Sequence, residues 1–270
     1  MRVAARWAGL ALFCAIAVAP FLYVVSASFK ATQSLFQFPP EWIPAEPTLD
    51  NYRRLFTDLP YLRWTLNTLL VAGVVAALKV TFDAMAGYAF SKLEFTGRRA
   101  VFALMLATVM IPPAVLIIPL FFLVRDAGLL DTYWALILPP LANPIGIFMM
   151  RGFIDGLPAD LEHAARIDGA GPFRTFWHVI LPLVKPGLVV VGVYAFLLQY
   201  TNFVWPLVAT SSEDLYVLTT GLARLKPNFT APDWGLISAG SIAAMVPITL
   251  VFLALQRQFV TASLTGALKG

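Results

Sequence analysis

Between Arg6 and Lys30 no residue carries a charge. That stretch, Trp7 to Phe29, has the length of the roughly 20 apolar residues a helix needs to cross a bilayer. No other feature constrains the fold as much. In hydrocarbon every backbone N–H and C=O must find its partner within the protein, and a single segment can do so only as a helix. The basic start and apolar body resemble a secretory signal, but the body exceeds the roughly 7–15 residues of a signal core, so a retained helix is expected. Further apolar stretches lie at about 64–90, 100–124, 132–150, 187–212 and 234–256. The expectation is an all-α integral membrane protein, one domain over residues 1–270 with six transmembrane helices.

Composition narrows the function. The chain is 59% hydrophobic and only 13% charged, against roughly 25% charged in soluble domains. A net charge of +4 without a basic-aromatic patch argues against nucleic acid. Cys14 is the single cysteine, so no internal disulfide is available. The two histidines, His163 and His178, give no basis for a metal site. No G-x-x-x-x-G-K-[ST] loop, G-x-S-x-G elbow or H-E-x-x-H pair occurs. The chain is therefore expected to be no enzyme and to bind no cofactor itself.

Some polar residues fall inside apolar stretches. Lys79 and Asp83 are four apart and share a helical face; they are read either as a gating or subunit-interface pair or, preferably, as a local ion pair steadying one helix. Pro112, Pro113 and Pro119 fall in the third stretch and Pro139, Pro140 and Pro144 in the fourth, where kinks are expected. The fifth stretch ends in Gln199-Tyr200-Thr201-Asn202-Phe203-Val204-Trp205-Pro206. Gln199, Tyr200, Asn202 and Trp205 offer aromatic faces and amides, the groups that bind sugars, and are candidates for a substrate pathway. The competing reading is helix-end capping with an interfacial tryptophan. Thr48 is placed to cap a short helix over Leu49 to Phe56.

The polar exception is the loop over 151–186. Asp160, Glu162, Asp168, Arg166, Arg174 and Lys185 all lie here. Pro158 and Gly169 bracket a predicted helix, Ala159 to Asp168, with proline near its start and glycine after its end. Leu161, Ala164, Ala165 and Asp168 recur at helical spacing and are expected on one face. A second amphipathic run, Phe173 to Leu181, leads to Pro182.

Ala164-Ala165, Gly169 and Leu181-Pro182 resemble the EAA motif of bacterial ABC importer permeases. TLDNYRRLF, GYAFSKLEFTGR, GLLDTYWALILP and the Leu-Thr-Gly-Ala-Leu-Lys-Gly ending resemble strings of the smaller permease of maltose-type sugar importers. His163 stands where that motif has Glu, and Glu162 is about 100° away around the helix. The resemblance implies the type I importer permease fold, with 159–168 as a coupling helix. Leu161, Glu162, His163, Ala164, Ala165, Asp168, Gly169, Leu181 and Pro182 would then meet an ATPase subunit. It also implies partners: a second permease, two ATPase subunits that hold ATP and Mg, an extracytoplasmic binding protein and membrane lipid. The implied substrate is a sugar or oligosaccharide. Glycerol 3-phosphate or a glycerophosphodiester is the alternative, and a stand-alone secondary transporter the more distant one.

Charge bias orients the chain. With the N-terminus inside, Arg2, Arg6, Lys92, Arg98, Arg99, Arg151, Arg166, Arg174, Lys185, Arg257 and Lys269 fall in inner segments. Only Lys30, Arg53, Arg54, Arg63, Arg125, Arg224 and Lys226 fall outside. Both termini are thus expected in the cytoplasm of a bacterial inner-membrane protein, on the same side as 151–186.

Overall fold

The computed structural model describes residues 2–39, 41–225 and 232–267, with side chains omitted for 2–5, 8 and 255–267. Pro40, Lys226 and the last three residues of the Lys-Gly ending lie outside the described residues. Every regular element among the described residues is helical. In order they are α1 (Arg2–Ser28), α2 (Asp50–Thr57), α3 (Tyr61–Lys92), α4 (Arg98–Ala107), α5 (Pro113–Asp126), α6 (Tyr133–Leu141) and α7 (Ile145–Asp155). There follow α8 (Asp160–Ile167), α9 (Pro172–Leu183), α10 (Lys185–Tyr200), α11 (Val204–Ala209), α12 (Leu218–Arg224) and α13 (Trp234–Ala267).

Three helical stretches are long and apolar enough to cross a membrane: 9–28, 61–92 and 234–254. The other apolar stretches are broken pairs. A turn of Thr108–Met110 ends α4, and α5 leaves it at 103°. The cause is local: Ile111 precedes Pro112 and is driven to an extended φ −79°, ψ 120°. The expected kink in 100–124 is therefore close to a right angle. α6 and α7 meet at 46° across Ala142, Asn143 and Pro144. α9 and α10 meet at 81°. The fifth apolar stretch, expected as one helix over 187–212, is α10 ending at Tyr200 followed by the separate α11.

The chain divides into two units, residues 1–65 with 217–249, and 66–216 with 250–270. In the first, Asn51 of α2 donates from Nδ2 to the carbonyls of Ser28 (3.0 Å) and Lys30 (2.7 Å), closing the end of α1. The helix expected over Leu49 to Phe56 is Asp50–Thr57 with Leu49 at its N-cap, so Thr48 stands one residue before the cap, where its Oγ1 accepts from the Asp50 N–H at 3.1 Å. Arg54 holds Asp233 at 2.8 Å.

In the second unit a core of Ala84, Tyr88, Met150, Ile154, Phe176, Ile180, Val184 and Val191 joins α3, α7, α9 and α10. Asp131, between α5 and α6, sits at φ 57° and accepts from the amides of Ser211 and Ser212, both at 2.9 Å, and from the Ser212 hydroxyl. Those bonds, the Ser212 hydroxyl foremost, hold its carboxyl below the ordinary carboxylate range. A carboxyl depressed in the folded state stabilises the fold above its unfolded value of about 3.9 and loses that contribution as pH falls through the folded value. The protection of the Ser211 and Ser212 amides, measured as exchange relative to an unstructured peptide at the same pH, should therefore be high at neutral pH and fall once the pH is taken well below 4. In Asp131→Ala these amides should show little protection at any pH, and parent-like protection in that variant would contradict the assignment.

Candidate functional site

The polar loop is folded as its sequence spacing predicts at its C-terminal end. α8 stops at Ile167, and Gly169 takes φ +77°. The Ala170 N–H donates to the Ala165 carbonyl (2.9 Å) and the Gly169 N–H to that of Arg166 (3.0 Å), the paired bonds of a Schellman stop. A Cβ on Gly169 would meet nothing within 4 Å. The left-handed backbone is the constraint there, not space. Gly169→Val should destabilise this stop by about 1–2 kcal/mol, and Gly169→Asn by less. Equal melting of the two variants would show that the backbone is not the reason for glycine.

The expected single face of α8 is split. Ala165 and Glu162 are buried and Leu161 half-buried, whereas His163, Ala164 and Asp168 face outward. Ile167 is 86% exposed, an apolar side chain on a polar loop with nothing covering it. Glu162 turns into its own chain and meets Lys92 Nζ at 2.8 Å.

After Gly171, Pro172 opens α9, whose second half is wound wide. The Leu181 N–H reaches back five residues to the Phe176 carbonyl. Pro182 explains the widening, because it has no N–H for His178 and a normal turn cannot continue through it. Leu181 packs against the core and Pro182 is exposed.

The aromatic-amide run after α10 has a task inside the chain. Pro139 and Pro140 cannot donate to the carbonyls four residues back, Ala135 and Leu136. Trp205 Nε1 donates to Ala135 O at 2.8 Å, and Gln199 Nε2 to Leu136 O at 3.3 Å. Each freed carbonyl of α6 thus receives a side-chain donor. Tyr200 is buried and stacks on Phe196 at 5.7 Å. Asn202, half-buried, donates to Gln199 Oε1 at 3.5 Å. Gln199 and Trp205 thus serve a helix that carries two adjacent prolines, while Tyr200 packs against its own helix neighbour Phe196.

Lys79 and Asp83 are also buried, and they do more than steady one helix. Lys79 Nζ lies 3.3 and 3.1 Å from the two Asp83 oxygens and donates to the Asn143 carbonyl at 2.6 Å. Asn143 is in the break between α6 and α7, where Pro144 follows. The pair therefore reaches across to the freed backbone of a neighbouring helix. Asp83 lies against the first turn of α7, whose dipole favours a carboxylate. Gly146 makes the approach possible, since a Cβ there would be 1.8 Å from Asp83 Oδ2.

Residues 70–262 match the family of the binding-protein-dependent transport system inner membrane component. The arabinooligosaccharides transport system permease protein of Halalkalibacterium halodurans is 37% identical, over 97% of this chain and 95% of its own. The maltodextrin transport system permease protein of Bacillus subtilis is 34% identical, over 97% and 94%. A crystal structure of a bacterial ABC transporter involved in import of the acidic polysaccharide alginate superposes with a TM-score of 0.85 over 94% of this chain and 95% of that one, at 23% identity.

The chain belongs to this family of ABC importer permeases.

As an importer permease it is a multi-pass membrane protein, and the all-helical expectation holds. Sequence reasoning missed Lys92, Asn143 and Gly146 as partners of residues it had singled out. Only the double proline carried a signal, because two adjacent prolines in a helix imply two orphan carbonyls four residues earlier.

Proposed function

We propose that this permease is one of two homologous transmembrane subunits of an importer for a sugar or oligosaccharide, driven by ATP and Mg held in two partner ATPase subunits. An extracytoplasmic binding protein delivers the solute. The chain crosses the inner membrane six times, the bent pairs serving as single spans, with both termini in the cytoplasm. It hydrolyses no ATP itself. The observation that carries this reading is α8, a short stopped helix with Ile167 and Ala164 turned outward, in a family defined by binding-protein-dependent transport. His163, Ala164, Ile167 and Asp168 form the surface offered to an ATPase, while Leu161, Glu162, Ala165, Gly169, Leu181 and Pro182 hold its shape.

The names of the similar permeases favour a saccharide. Lys79 gives a second argument. An anionic glycerol phosphate requires a free cation in the pathway, and the ammonium of Lys79 is already taken up by Asp83 and the Asn143 carbonyl. Of the aromatic-amide run, Asn202 is the residue we assign to solute contact.

The test is reconstitution of the purified complex, both permeases and the ATPase, in liposomes with its binding protein. Oligosaccharide uptake is expected only with ATP and binding protein together. Uptake driven by an ion gradient without ATP would support a secondary transporter instead. Uptake of glycerol 3-phosphate in preference to sugars would overturn the saccharide assignment. Ile167→Asp should separate the ATPase from the permeases on purification.

A further inference from the structure

α8 makes one charged contact with the rest of its own chain among the described residues, and its partner is the last residue of α3. Lys92 Nζ sits 2.8 Å from Glu162 Oε1, with the two side chains only 12% and 10% exposed. The same ammonium reaches the Leu157 carbonyl at 3.5 Å, just ahead of α8. One turn back along α3, Tyr88 packs on Phe176 of α9, ring centres 5.3 Å apart. Further back on the same helix, Asp83 and Lys79 grip the α6–α7 break. From Lys92 to Lys79 the helix rises about 20 Å at 1.5 Å per residue. α3 thus has one charged attachment to the loop helix at its end and a second to a broken helix deep in the apolar part.

We infer that the Lys92–Glu162 pair is the attachment through which a displacement of α8 is carried into α3 and on to the α6–α7 break. This rests on the reading of α8 as the ATPase-facing helix. Exposed ion pairs contribute little. This one is largely shielded from water, so its geometry is held and losing one partner strands a charge. The role is one of positioning: neither residue is assigned contact with nucleotide or solute.

The measurement is solute moved per ATP hydrolysed in the reconstituted complex, with co-purification of the ATPase scored separately. Lys92→Met and Glu162→Gln should each lower that ratio about 5-fold or more, the size of an ordinary coupling energy, while the ATPase still co-purifies. Lys92→Arg, which keeps the charge, should restore the parent ratio. The double variant Lys92→Met/Glu162→Gln should be no worse than either single one, since the two act as a unit. Parent-like ratios in the single variants, or additive losses in the double, would overturn the proposal. So would a Lys92→Arg chain that behaves like Lys92→Met. The reading of α8 itself fails on a different result, retention of the ATPase by Ile167→Asp.

Discussion

Lys79→Met is expected to destabilise the permease by about 3–5 kcal/mol, the cost of breaking a buried ion pair by removing one partner. Three groups depend on this ammonium. Asp83, almost fully buried, would keep a carboxylate with no counter-charge, and Oδ2 has no hydrogen-bond donor of its own. The Asn143 carbonyl would lose the donor it meets at 2.6 Å. The second half of the broken helix would lose the group that keeps Asp83 seated against Gly146. Removing both charges with Lys79→Met/Asp83→Asn should recover most of the loss, because replacing a whole buried pair is far cheaper than orphaning half of it. Thermal unfolding of the purified complex in detergent is the measurement. A single variant that melts with the parent would mean that the pair is not structural.

Trp205→Ala should cost about 3–5 kcal/mol, the range for emptying a buried aromatic site. Trp205→Phe separates the polar part of that loss. It keeps most of the volume but leaves the Ala135 carbonyl without its 2.8 Å donor, a penalty of about 1–3 kcal/mol. Position 139 supplies the control. Pro139→Ala restores a backbone N–H aimed at Ala135, so in the Trp205→Phe background it should return part of the lost stability. In the parent it should return less, because the indole already occupies that carbonyl. Equal effects of Pro139→Ala in both backgrounds would show that the indole is not replacing the missing helical bond.

These cases mark how far the residues spoke for themselves. Apolar stretches of bilayer length fixed the class, because helices are the only solution for isolated segments in hydrocarbon. Gly169 marked the end of α8 because only glycine takes a left-handed backbone without strain. Pro112-Pro113 marked a break and Pro139-Pro140 two orphaned carbonyls, both for want of N–H groups. All of these are local causes, confined to a few neighbouring residues.

The tertiary structure decided which side chain answers each break and which face of a helix is covered. Glu162 and His163 are adjacent, yet one is sealed against Lys92 and the other faces outward. No periodicity in α8 could say so, since the deciding partner is 70 residues away in sequence (162 − 92). Gln199 and Trp205 have the chemistry of a sugar site and the position of a helix repair. A donor's identity is written in the chain. What it donates to depends on which carbonyl the fold brings within 3 Å, and burial enforces that choice by making any carbonyl left unmatched costly.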